Sequence, residues 1–481
     1  MEFTREINHL LIAMLLAFFM VGLSASYWAL TGDDTILQRE DNPRAVEDEA
    51  AIRRGSIFDR NGTLLVESVL VDGFLERHYR IDSFYSATGY FSLRFGVGGA
   101  EAAYDDILRG DTLSQDFDAY FSQEILHRPQ EGLDIRLTLD SDVQQEIVDV
   151  MGDKRGAVVV LNVPDGDVLA LVSLPTYNPN ALDDEWDDLI EAPGNPFFNR
   201  VLQGQYQPGG MLQTPLMTAA ILTNQTFDVI TADADAPITV ADVTLTCAVE
   251  PPESDLTFTQ AYAYACPRPF ALLAQQINQT TLENILVNFR LSSPPSLTGF
   301  IIENPEEDPE FVSEVTSEAD IVEESNLIAD LLGQGDLTIN PLRIATLVAA
   351  VINEGNAPQP HALDAIRQQD GNWQNQNCVQ ATTALMTSDA ARRIRDLMIN
   401  NTVAGAASAA QHDGLNIGGH AAIAISGDEV QTWYIGFVLL DDNRGAVVVV
   451  VLEDTNDVTQ AAMVGGIALE TAYFNLRDSA E

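Results

Sequence analysis

Lysine is nearly missing: of the 24 basic residues in this 481-residue chain, only Lys154 is a lysine and the rest are arginine. Any site that needs two lysines is therefore excluded. Positive charge of either kind is scarce, with 72 Asp and Glu leaving a formal net charge of −48. Such a field repels phosphate, which rules out nucleic acid as a general partner. It also disfavours anionic membrane surfaces and acidic ligands, unless a local basic patch or high salt intervenes. Cysteine is scarce too. Cys247, Cys266 and Cys378 are too few for a disulfide framework or a Cys-rich zinc site. Neither a metal nor a cofactor is expected. Apolar residues, in contrast, make up 46% of the chain, ample for large packed cores and against disorder.

Leu10 to Leu30, LLIAMLLAFFMVGLSASYWAL, is free of charge. As a helix it would reach roughly 32 Å, enough to cross a bilayer. Tyr27 and Trp28 suit the headgroup zone at its far end, and Arg5 before it favours a cytoplasmic N-terminus. A cleaved leader ending near Ser24-Ala25-Ser26 is the competing reading. Either reading exports the rest of the chain. The sequence thus divides into a cytoplasmic tip and membrane anchor (1–32), a small mixed pedestal (33–132) and a large domain (133–481). Export would let Cys247 and Cys266 pair, leaving Cys378 odd, although spacing alone does not decide that pairing.

Apolar runs around Asp59-Arg60-Asn61-Gly62 predict a β-hairpin over 52–70. A short helix is expected over 99–109, a strand over 134–140, and a helix from Ser141 to Met151 capped by Asp140 or Ser141. Two further hairpins are expected, over 156–174 and 432–454, with helical segments between them near 213–223, 259–277, 341–353 and 388–400. Residues 303–324 read as an acidic solvated loop or lid, and 458–475 as an apolar-striped last helix. The order strands, helices, strands, helix implies an α+β fold, an antiparallel sheet with helices on both faces.

Arg54-Gly55-Ser56-Ile57-Phe58-Asp59-Arg60-Asn61-Gly62 resembles the RGxIxDRNG signature of class B penicillin-binding proteins. Residues 85–110 are similar to the short branch of that class. LTLDSDVQQ (137–145), GAVVVLNVPDGDVLALVSLPTYNPN (156–180), NRVLQGQYQPGG (199–210), GQGDLTINPLRIATLVAAVINEG (333–355) and WYIGFV (433–438) resemble its transpeptidase domain in order. The resemblance implies a single-pass cell-wall enzyme. In it a serine attacks a D-Ala carbonyl, a lysine one helical turn later (SxxK) is the base, SxN relays protons, and a KTG strand supplies a cation and hydroxyl groups.

Every one of those positions is altered here. Pro208-Gly209-Gly210-Met211-Leu212-Gln213 places Gly210 where the nucleophile belongs and Gln213 where the base belongs. Glycine offers no attacking atom and an amide is no useful base. Ala265 and Pro267 fall on the serine and asparagine of SxN, and Gly419-His420-Ala421 on KTG. Lys154 has Met151 three residues before it, so no SxxK exists in any register. His420 as a substitute base or metal ligand, and Thr214 as a shifted nucleophile, are the sharper readings. A structural histidine and a helix-capping hydroxyl are the plainer and preferred ones. His361 is expected to be structural, and Asp183-Asp184-Glu185 and Glu306-Glu307-Asp308 to be solvated acidic faces.

The expected function is an inactive homologue, a scaffold or regulator among membrane proteins of wall synthesis in division or elongation. It could retain contact with peptidoglycan stem peptides. An active D,D-transpeptidase using non-standard residues and a stem-peptide sensor are the alternatives.

Scarce lysine with excess carboxylate also matches a salt-adapted surface, where ions relieve repulsion among the acids. The melting temperature is expected to rise as salt is added; a flat profile would contradict that reading.

Overall fold

The computed structural model describes residues 3–32, 49–111, 130–223, 229–240, 242–291, 293–298, 300, 327–376, 381–427, 429–441 and 444–478. Cys378, the acidic stretch 303–324 with Glu306-Glu307-Asp308, and Asp442-Asn443 of the last hairpin turn lie outside them.

At the centre is a five-stranded antiparallel sheet in the order Asn416–Ser426, Glu429–Leu439, Gly445–Glu453, Gly156–Val163, Val168–Leu174. Its middle strands are apolar without interruption because both faces are covered. Val159 and Leu161, with Val447, Val449 and Val451, pack on one side. Val158, Val160, Val448 and Val450 pack on the other. The first face is covered by the helices Gln213–Leu222 and Pro341–Ile352, the second by Ser141–Met151 and Val458–Asp478. This is the α+β arrangement expected from the sequence. Asp140 caps the helix Ser141–Met151, its side chain accepting from the amides of Asp142 and Val143.

A second sheet runs Trp373–Asn375, Leu363–Arg367, Ile135–Leu137, Ile57–Phe58, Leu64–Val71, Phe74–Tyr79. Its first three strands follow residue 132 in the chain, so segments of the expected pedestal and of the large domain share one ladder. The turn between Phe58 and Leu64 is the expected hairpin, with Gly62 at φ 85°. Asp59 is fully buried and holds that turn, accepting from the amides of Asn61 (2.9 Å) and Thr63 (2.6 Å). Its other oxygen accepts from Ser141 Oγ at 2.5 Å, tying the hairpin to the start of a sheet-covering helix.

Arg54, at the head of the same motif, is 3% exposed and pairs with Glu101 at 2.9 Å and Asp105 at 2.6 Å. Glu101 is wholly buried and also receives Arg77 at 2.6 Å. The short helices Gly99–Ala103 and Asp105–Arg109 are thereby fastened to the hairpin by charge. His361 is structural as expected, its Nε2 2.9 Å from Asp167 at the turn between the two central strands Gly156–Val163 and Val168–Leu174. Asp183, Asp184 and Glu185 are exposed on the first turn of Leu182–Ile190, where carboxylates suit the helix dipole.

The N-terminal apolar run lies in the helix Phe3–Gly32. Its apolar side chains from Leu10 to Leu23 are more than half exposed. Among the described residues no helix is long and apolar enough to cross a membrane.

Removing Glu101 leaves two buried guanidinium groups without their shared partner. Glu101→Leu is expected to cost about 3–5 kcal/mol, read from the midpoint of urea unfolding. A loss below about 1 kcal/mol would mean that the pairing does not hold the pedestal.

Candidate active site

The four-residue turn Gly209–Leu212 leads into the helix Gln213–Leu222 and places Gly210 against the edge strand Asn416–Ser426. The contact is close. A Cβ on Gly209 would lie 2.3 Å from the carbonyl oxygen of Ile423, and one on Gly210 would lie 2.7 Å from Cβ of Ala422. Trp433, on the next strand, donates its indole N–H to Gln207 O at 3.0 Å and holds the approach to the turn.

His420 makes the decisive bridge. It is wholly buried, and its Nε2 lies 3.1 Å from the carbonyl oxygen of Gly210. A carbonyl only accepts, so Nε2 carries the proton. Asn401 Nδ2 lies 3.3 Å from His420 Nδ1 and 2.9 Å from Gly419 O, donating to both. One neutral tautomer satisfies both ring nitrogens. Tyr262 stacks on the imidazole, centroids 4.1 Å apart and planes 7° apart, and its hydroxyl pairs with Thr214 Oγ1 at 2.9 Å. Burial lowers the His420 pKa to about 4, against a smaller opposing effect of the Gly210 carbonyl. Burial raises the Tyr262 hydroxyl well above its ordinary value.

The pleat of the edge strand decides which KTG positions reach the site. His420 and Ala422 face the turn. Gly419 and Ala421 face the opposite core, where a Cβ on Gly419 would meet the Tyr434 hydroxyl at 2.5 Å. Thr214, second residue of the helix Gln213–Leu222, is buried and bonded to Tyr262 and does not cap that helix as expected, since Leu212 stands at its N-cap.

Ala265 and Pro267 stand across from Gly210. Ala265 is held in the left-handed region at φ 50°, and Pro267 opens the helix Pro267–Gln276. Cys266 between them is bonded to Cys247, the pairing the sequence permitted. The bridge ties the Val243–Leu245 strand and the residues after it over the site. What lies between is a cavity of about 30 Å³ lined by Gly210, Gln213, Ala265, Pro267, Ala422 and Gln334, among others. A volume of that size admits a water molecule, while peptide-sized ligands take about 300 Å³ or more. Gln213 is buried, and its Oε1 has no hydrogen-bond partner among the described residues. Among the described residues no cluster of His, Cys, Asp and Glu could hold a metal ion.

Residues 156–471 match the penicillin-binding protein transpeptidase domain, and residues 54–135 match the penicillin-binding protein A dimerisation domain. The chain belongs to the penicillin-binding protein transpeptidase family. It is 27% identical over 476 residues to the peptidoglycan D,D-transpeptidase PbpA of Mycolicibacterium smegmatis, covering 91% of this chain and 92% of that protein. The Mycobacterium tuberculosis PbpA is also 27% identical, over 90% of this chain and 91% of its own length. Among solved structures, penicillin-binding protein A from M. tuberculosis, as its ceftriaxone acyl-enzyme, superposes with a TM-score of 0.75. It is 24% identical and covers 89% of this chain and 99% of its own. A D,D-transpeptidase domain from Eggerthella lenta gives 0.74 at 23% identity over 88% of this chain and 99% of its own. These superpositions establish the family's fold for this chain.

Sequence reasoning brought Gly210, Gln213, Ala265, Pro267 and His420 to one place, and the structure does bring them together. It missed Tyr262 and Asn401, which complete the site from other segments. Ala422 carried a signal in the strand alternation: two residues after His420, it faces the same side.

The buried neutral imidazole sets a pH dependence. A histidine whose folded pKa is depressed contributes stability that is present above the unfolded value of 6.5 and lost as pH falls through about 4. Urea unfolding is expected to show up to about 3 kcal/mol lost across that window from this group. His420→Gln, uncharged at every pH, is expected to remove that component of the acid limb, whereas an unchanged limb would contradict the assignment.

Proposed function

We propose that this chain is a catalytically inactive penicillin-binding-protein homologue, serving cell-wall peptidoglycan synthesis as a scaffold or regulator. The observation that carries the reading is the turn at Gly210. No side-chain oxygen stands at the nucleophile position, a neutral amide stands at the base position, and His420 spends its only proton on the Gly210 carbonyl. In this reading His420 takes the place of the KTG cation, since it is the residue of that segment that faces the turn, and it is uncharged at neutral pH. The names of the relatives give the cell-wall setting, and the residues speak against the acyl transfer those names describe.

The chain is further proposed to be anchored by residues 10–30, in which the large apolar side chains from Leu10 to Leu23 are exposed. The bulk of the chain would stand outside the cytoplasmic membrane, a placement that the Cys247–Cys266 bridge supports. Membrane proteins of wall synthesis are the proposed partners. A stem-peptide sensor has less support, because the cavity of about 30 Å³ is too small for a peptide.

Labelling of the purified ectodomain with a fluorescent penicillin tests inactivity. No covalent label is expected on the wild type, and a labelled side chain mapped by mass spectrometry would overturn the proposal. The double variant Gly210→Ser/Gln213→Lys is also expected to stay unlabelled, because its new Cβ at 210 would press on Ala422 at 2.7 Å.

A further inference from the structure

The guanidinium groups buried in this protein meet carboxylates: Arg54 and Arg77 share Glu101, and Arg200 meets Glu453 at 3.0 Å. Half-buried Arg343 meets none among the described residues, a situation it shares with Arg60 and Arg268. It lies on the first turn of the helix Pro341–Ile352 and donates to the backbone carbonyls of Ser293 and Pro294, with no carboxylate partner among the described residues. Burial and then the positive charge of Arg290 lower the Arg343 pKa, and Arg290 forms no ion pair among the described residues. Arg290 is itself held in the left-handed region at φ 51°.

Between the two arginines is a cavity of about 60 Å³. Among the described residues its lining includes Ser296, Thr346, Gln359 and Thr383 and no Asp or Glu. Gln359 donates its amide to Ser296 Oγ at 2.9 Å, which leaves the serine's own proton free. A positive neighbour beside a half-buried guanidinium disfavours its charge, and an anion between the two would relieve that.

We propose that this cavity binds a single compact oxyanion, a carboxylate or a phosphate group, clamped between Arg290 and Arg343. The Arg290 fork can pair with either group bidentately, Arg343 adds its Nη1, which neither Ser293 nor Pro294 engages, and the Ser296 and Thr383 hydroxyls add neutral donors. The site involves neither Gly210 nor His420, so it stands whether or not the chain is a catalyst. It is also the kind of local basic patch that an overall charge of −48 would otherwise preclude.

Isothermal titration of the ectodomain at low salt provides the test, with three probes: inorganic phosphate, N-acetyl-D-Ala-D-Ala and the carboxamide of that peptide. Binding of phosphate assigns a phosphate source. Binding of the free peptide but not its carboxamide assigns a peptide C-terminus. In either case Arg290→Gln, at an exposed position, is expected to weaken binding about tenfold or more, the weight of one charge-assisted hydrogen bond. Arg444→Gln, on a distant exposed turn, is expected to leave binding unchanged. Arg343→Lys, which keeps the charge and loses the fork, is expected to weaken it as well. Absence of binding by phosphate and free peptide alike, or binding that Arg290→Gln leaves untouched, would overturn the proposal.

Discussion

A single hydrogen bond, from the Nε2–H of His420 to the carbonyl of Gly210, joins two segments 210 residues apart and fixes the character of the site. The bond requires a neutral ring, and a neutral ring requires the dry surroundings that Tyr262 and Asn401 provide. Those surroundings exist because the turn at Gly209–Leu212 lies flush on the edge strand, which only glycines at 209 and 210 permit. Geometry and charge support one another here. A lysine in place of His420 would bring an unpaired ammonium into a buried site, and a serine in place of Gly210 would push the strand away.

The rest of the fold does not depend on chemistry at this point. The central sheet is stabilised by apolar side chains on both faces, and the signature hairpin by buried charge: Arg54 and Arg77 on Glu101, with Asp59 binding two amides and Ser141. A family architecture can therefore form with glycine at position 210 and glutamine at 213. Fold and activity are separable, and a role in holding partners needs only the former.

Much of the architecture was legible in the sequence, because its signals are local. The Asn61-Gly62 turn, the unbroken valine runs at 158–160 and 447–451, and the Asp140 cap each declare an element within a few residues. The pairing of Leu363–Arg367 with Ile135–Leu137 was not legible, since partners more than 200 residues apart leave no periodic trace. Nor was the full extent of the edge strand, whose Gly- and Ala-rich run NIGGHAAIAIS carries little β-propensity. At the site, motif order supplied Gly210, Gln213, Ala265, Pro267 and His420. The stacking of Tyr262 and the donation from Asn401 follow from tertiary packing alone. The two-arginine cavity was hidden for a different reason: overall charge speaks against anion binding, and only tertiary packing brings Arg290 and Arg343 to one cavity with no carboxylate among its described lining.

The central claim is most directly tested by nitrogen-15 NMR of the His420 imidazole across pH. A neutral ring protonated on Nε2 throughout pH 5.5–8, beginning to titrate only towards about 4, is the result this account requires. Titration near the ordinary histidine value, or a proton on Nδ1 at neutral pH, would contradict it and reopen the site to chemistry.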